Sequence, residues 1–158
     1  MLDRLLHTAP SYSVLGARLA LGAVLFAHGA QKVGGFGGPG WAGTMAFFTE
    51  GLGVPAPLAA GVIAFEVFGA LALRLGLLGR PLAAAAAGVM LGAIALVHAP
   101  HGFFMNWVGA QAGEGYEFHL LALALSLVVS AQGSGAWSLD RALARRWARA
   151  PRRGAEAA

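Results

Sequence analysis

Four long apolar stretches, at residues 13–30, 57–78, 82–99 and 118–131, leave a chain of 158 residues few ways to fold. The sequence is 58% hydrophobic and 11% charged, so in water these segments could pack on one another but nothing would remain to cover their outer faces. Lipid is therefore the expected solvent. A helix of about 20 residues crosses roughly 30 Å of hydrocarbon; the fourth stretch falls short of that unless residues 115–117 add a turn. The expected fold is all-α: a four-helix transmembrane bundle with short interfacial helices.

The charges orient it. Arg4 precedes the first stretch, Arg74 and Arg80 lie between the second and third, and Arg141, Arg145, Arg146, Arg149, Arg152 and Arg153 crowd the tail. The two remaining loops hold Lys32 against Glu50, Glu114 and Glu117. By the positive-inside rule both the N and C termini face the cytoplasm. The net charge of +4 is thus explained by membrane orientation, and a nucleic-acid partner is not expected. Arg18 interrupts the first stretch and no small-residue cleavage site follows it, so a retained helix is expected rather than a signal peptide. The chain has no cysteine and hence no thiol chemistry.

Length gives one membrane domain at 13–138, preceded by an interfacial lead at 1–12 that Pro10 ends, and followed by a basic cytoplasmic tail at 139–158. Gly35, Gly37 and Gly40 fit G-x-G-x-x-G, but no strand precedes them and Pro39 intervenes, so a dinucleotide site is rejected. Trp41, Met45, Phe48 and Leu52 share one helical face, as expected of a short helix in the outer interface or a lid over a site beneath it. Leu139, Leu143 and Trp147 share another, ringed by arginines, which suits anionic inner-leaflet lipid. Gly88 and Gly92 suggest close helix contact.

Ionisable groups within a membrane are expensive and mark function by default. His28, Gln31 and Lys32 end the first span, His98 and His101 the third, and Glu117 and His119 begin the fourth. All fall on the extracytoplasmic side, with Glu66 deeper. Depth brings Arg18 within reach of Glu66, so a buried ion pair is expected there. The histidines invite a metal or haem reading, but Pro100 breaks the His98-x-x-His101 interval and no zinc-like spacing follows. Metal is not expected, and haem ranks below a quinone. Phe103, Phe104, Met105, Asn106 and Trp107 offer an aromatic lip where a flat lipid-soluble ring could meet histidine and glutamate donors; a quinone fits, since its carbonyls need donors and its reduction needs protons.

RLALGAVLFAHGAQKVGGF at 18–36, Glu66 with Gly69, VHAPHGFF at 97–104, YEFHLLAL at 116–123 and GSGAWSLDRAL at 133–143 together resemble the DoxX family of small four-helix membrane proteins. That resemblance implies a bacterial or archaeal inner-membrane bundle linked to respiratory quinone chemistry. It carries over Arg18, His28, Lys32, Glu66, His98, Asn106 and Glu117 as candidate ligand-binding residues, with His101, His119 and Gln31 as weaker candidates. Where the family usually has a threonine-arginine turn, this chain has Gly79, Arg80 and Pro81.

The expected function is that of a quinone-binding or accessory subunit of an oxidoreductase in the bacterial inner membrane, working with a redox partner protein. Whether it turns over alone, and whether it self-associates, stays open. The alternatives are a small-solute or proton transporter, and a structural anchor for a partner subunit.

Overall fold

The computed structural model describes residues 7–149, which places Arg4, Arg152 and Arg153, three of the charges used for orientation, outside the described residues. Among the described residues all regular structure is helical. Helix α1, Tyr12–Lys32, starts where the Ser11 hydroxyl accepts a hydrogen bond from the Val14 amide at 3.3 Å. A glycine-rich turn leads to α2, Gly40–Ala46, which runs on as a π turn at Phe47–Gly51. Pro55 and Pro57 open α3, Ala56–Leu75, and Gly76 closes it in the left-handed region at φ 68°. Helix α4 spans Gly79–His101, α5 Glu117–Gln132 and α6 Leu139–Arg149.

Helices α1, α3 and α4 are each long and apolar enough to cross a membrane. In their most apolar windows only 33%, 33% and 22% of residues are buried, so most of the apolar side chains look outward. Water would not tolerate such a surface; lipid does. Helix α5 is equally apolar but has 16 residues, about 24 Å at 1.5 Å per residue. It begins only after the 102–116 loop has folded back, with Tyr116 and Glu117 amides donating to the Gly102 and Phe103 carbonyls.

Helix α1 is central, packed on α3 along one side and on α5 along the other, while α4 lies along α5. Val14, Leu21, Leu25, Leu73, Met90 and Val129 lead the core between them. Close approach comes from α1, not from the glycines expected to provide it. A methyl group added at Gly29 would stand 2.6 Å from the Glu66 backbone, and one at Gly22 would stand 2.6 Å from the Arg74 side chain and 2.9 Å from the Ala70 carbonyl. At Gly88 or Gly92 it would meet nothing within 4 Å. Those two glycines face a gap: α3 and α4, although consecutive, pack together chiefly beside the turn that joins them.

Candidate functional site

Polar side chains gather at both ends of the bundle, and the two ends differ in kind. At the end that holds the α3–α4 turn, Arg18 is fully buried. Its Nε donates to the Ser134 carbonyl at 2.8 Å, Nη1 to Leu73 at 3.0 Å and also to Arg74, and Nη2 to Ala136 and Trp137 at 3.2 Å each. Five N–H groups meet five carbonyls, which uses the whole guanidinium. Asp140, in the first turn of α6, completes the clasp. Its carboxylate accepts from the Leu78 and Gly79 amides at 2.8 and 3.0 Å and from the Ser134 hydroxyl at 2.6 Å, capping α4. Arg80 donates to Ser130 and Ala131 carbonyls at 3.0 and 2.6 Å, so the Gly79-Arg80-Pro81 turn ties α4 to the end of α5.

Arg18 therefore neither pairs with Glu66 nor belongs to a pocket, contrary to the reading from depth. Backbone carbonyls at the end of α3 and after α5 claim it first. Glu66, 4% exposed, is instead ion-paired with Lys32, whose long stem turns inward from the end of α1.

The other end contains a cavity of about 670 Å³ bounded by α1, α3, α4 and α5. Phe47, Phe48 and Leu52 of the α2 segment also line it, so that segment covers the cavity as a lid; α2 is tied to α1 by Thr44, whose hydroxyl donates to the Lys32 carbonyl at 3.2 Å. Most of the wall is apolar. His28, Lys32, Glu66, His98, Glu114 and His119 supply the polar groups. Their rings form a row: His28 lies 5.9 Å from Phe118, Phe118 5.5 Å from His119, and His119 4.0 Å from His98. His98 Nδ1 donates to the Glu114 carbonyl at 2.8 Å, which fixes the orientation of the ring. His119 is 8% exposed and its Nδ1 has no hydrogen-bond partner, whereas Glu66 Oε2 is engaged by the Lys32 ammonium.

The helical backbone is distorted where it meets the cavity. Three π turns, Phe47–Gly51, Phe65–Gly69 and Ile94–His98, each contribute lining residues, among them Phe47, Glu66 and His98. Such turns accommodate an extra residue in the helix and recur at functional sites. The helix also continues through Pro100 as a 3₁₀ turn, Ala99–His101, so the proline does not break α4 before His101.

Of the residues expected here, His28, Lys32, Glu66, His98 and His119 line the cavity and Arg18, Gln31, His101, Asn106 and Glu117 do not. Gln31 is exposed. Asn106 and Glu117 brace the 102–116 loop: the Asn106 amide donates to the Glu114 carboxylate at 2.7 Å and the Met105 amide to the Glu117 carboxylate at 3.1 Å. His101 packs under Gly113, where a methyl group would stand 2.6 Å from the imidazole. Phe103, Phe104 and Trp107 point outward, and only Met105 of the expected aromatic lip reaches the cavity. Glu114 and Phe118 were not anticipated; both sit one or a few positions from expected residues, and nothing in their spacing distinguishes them. Among the described residues no three histidine or acidic side chains converge as metal ligands do.

An all-helical membrane protein with a largely apolar cavity and one polar end is the class that fold and site define. A DoxX family model matches residues 13–99, more than half of the chain, and the protein belongs to that family. No curated protein and no solved structure gives a match.

Proposed function

We propose that the cavity binds a quinone or similar lipid-soluble redox carrier, and that the protein is an accessory or subunit of a quinone-linked oxidoreductase in the bacterial inner membrane. One observation carries this reading: a cluster of imidazole, carboxylate and ammonium groups, with hydrogen-bonding capacity left over at His119, in an otherwise apolar cavity of about 670 Å³. A quinone presents two carbonyl acceptors on a flat ring. Lys32 and the histidines supply donors, and Phe47, Phe48 and Phe118 supply ring faces to pack on.

Reduction of a quinone to a quinol takes up two electrons and two protons, one to each carbonyl oxygen. Imidazole and carboxyl groups relay protons. The electrons come from a partner, because the chain has no cysteine to hold an iron–sulfur cluster and no nucleotide motif. In this reading α5 is a fourth, short span. The arginine-rich clasp end and both termini face the cytoplasm, and the cavity faces outward, in line with the charge bias of the loops. Conduction has less support: the cavity lining stops near Leu21 and Ala85, and beyond it the clasp around Arg18 closes the bundle.

The test is extraction and titration. Protein purified into lipid nanodiscs should release quinone into organic solvent in near-stoichiometric amount, and added quinone should raise its melting temperature. His28→Phe should weaken quinone binding by about tenfold, the equivalent of about 1.4 kcal/mol. Absence of extractable quinone, together with no change in melting or in tryptophan fluorescence on adding it, would overturn the proposal.

A further inference from the structure

We infer that the occupant of the cavity carries a long apolar tail and enters sideways from the hydrocarbon layer, through the gap between α3 and α4. This rests on the reading of the cavity as a quinone site and names the class of quinone: a prenylated one, with its ring at the polar end and its tail lying between the two helices.

The gap is a feature of the packing. A turn of three residues joins α3 to α4, and the helices meet beside it, but farther along α4 leans on α5 and α3 on α1. The space between them opens to the outside. Leu58 of α3 and Leu96 of α4 both line the cavity, and they are 59% and 53% exposed. Below those rims, nearer the turn, α4 presents Gly88 and Gly92, where an added methyl group would meet no atom within 4 Å. Glycine within a helix costs about 0.5–1 kcal/mol relative to alanine. Here no helix contact offsets that cost, whereas a chain lying against the bare backbone would.

Size and polarity fit a tail as well. A cavity of about 150 Å³ is enough to hold one benzene ring, so 670 Å³ leaves most of the volume unfilled by a quinone ring alone. Along α4 the lining runs from Ala85 to His98, about 20 Å at 1.5 Å per residue. On α1 and α4 the polar lining residues, His28, Lys32 and His98, come after the apolar run of Leu21 to Leu25 and of Ala85 to Val97, and beside them His119 Nδ1 lies buried and without a partner. A slot with a polar end, an apolar end and an opening toward lipid suits an amphiphile better than a compact solute.

Two quinones with the same ring, one bearing a prenyl tail and one bearing only a methyl group, separate the possibilities in nanodiscs of fixed lipid content. Gly88→Leu and Gly92→Leu should each weaken binding of the tailed quinone at least tenfold, relative to the unchanged chain, and leave the tail-less quinone within about twofold. Comparing variants at constant lipid cancels partitioning into the bilayer. Equal weakening of both quinones, or no weakening of either, would overturn the sideways tail while leaving the quinone site standing; failure of both to bind the unchanged chain would overturn the two together. A photoreactive group midway along the tail gives a readout that needs no variant. It should label α4 between Ala85 and Gly92, and labelling confined to residues 102–116 would contradict the inference.

Discussion

The two ends of this bundle spend their polar groups in opposite ways. At the clasp end all five Arg18 N–H groups are satisfied by carbonyls and Asp140 accepts three hydrogen bonds, and neither residue lines the cavity. At the cavity end His119 Nδ1 is buried without a hydrogen-bond partner beside a large space. In lipid an unmet polar group costs several kcal/mol. The Ser130 hydroxyl at the clasp end is also buried without a partner but does not line the cavity; it is retained capacity beside a cavity that marks a binding device. The lesson is that an intramembrane charge reveals its role by its partners rather than by its depth.

The largest effect that can break this contrast is at Arg18. Arg18→Ala leaves five carbonyls without donors, each worth about 1–3 kcal/mol when buried and unmet. The variant should lose well over 3 kcal/mol and melt at least 10 °C lower; a melting temperature within 2 °C of the unchanged protein would show that the clasp is not structural. Glu66→Gln comes next. It strands the Lys32 ammonium, and breaking such a pair costs about 3–5 kcal/mol when fully buried; Lys32 keeps 21% of its side chain exposed, so a loss of about 1–2 kcal/mol is expected. Calorimetry at neutral pH would detect it. Comparable in size is Gly29→Ala, which crowds the Glu66 backbone at 2.6 Å and should destabilise by about 1–3 kcal/mol. Gly88→Ala, where nothing lies within 4 Å, should be neutral or stabilising by a few tenths of a kcal/mol. If Gly29→Ala and Gly88→Ala shifted the melting temperature alike, the packing described between α1 and α3 would be wrong.

The helices were legible because hydropathy is written in every residue of a span. Tyr12–Lys32, Gly79–His101 and Glu117–Gln132 each contain the apolar stretch that announced them, Ala56–Leu75 covers the second stretch except its last three residues, where Gly76 turns the chain, and Leu139–Arg149 coincides with the amphipathic run of the tail. Gathering of His28, Lys32, His98 and His119 in one half of the bundle, with Glu66 deeper, was expected from the same topology, and all five line the cavity. Partners were another matter. Arg18 was matched to Glu66 because both are side chains with opposite charge, whereas its true acceptors are carbonyls, which every residue possesses and no composition reveals. Lys32 could be assigned only once the inward turn of its stem was seen. The π turns left no trace in FFTEG, FEVFG or IALVH. Gly88 and Gly92 looked like contact residues because small side chains permit close approach and open space equally well.

The central claim, that the cavity end holds hydrogen-bonding capacity in reserve for a ligand, is tested most directly at His119 by measuring stability and quinone affinity on the same samples of His119→Phe. Phenylalanine keeps a ring of similar shape and removes an imidazole nitrogen that is buried and unpaired, so the fold should be unharmed or slightly more stable. The account predicts an unchanged or higher melting temperature with quinone affinity at least tenfold weaker. A lower melting temperature with unchanged quinone affinity would contradict it.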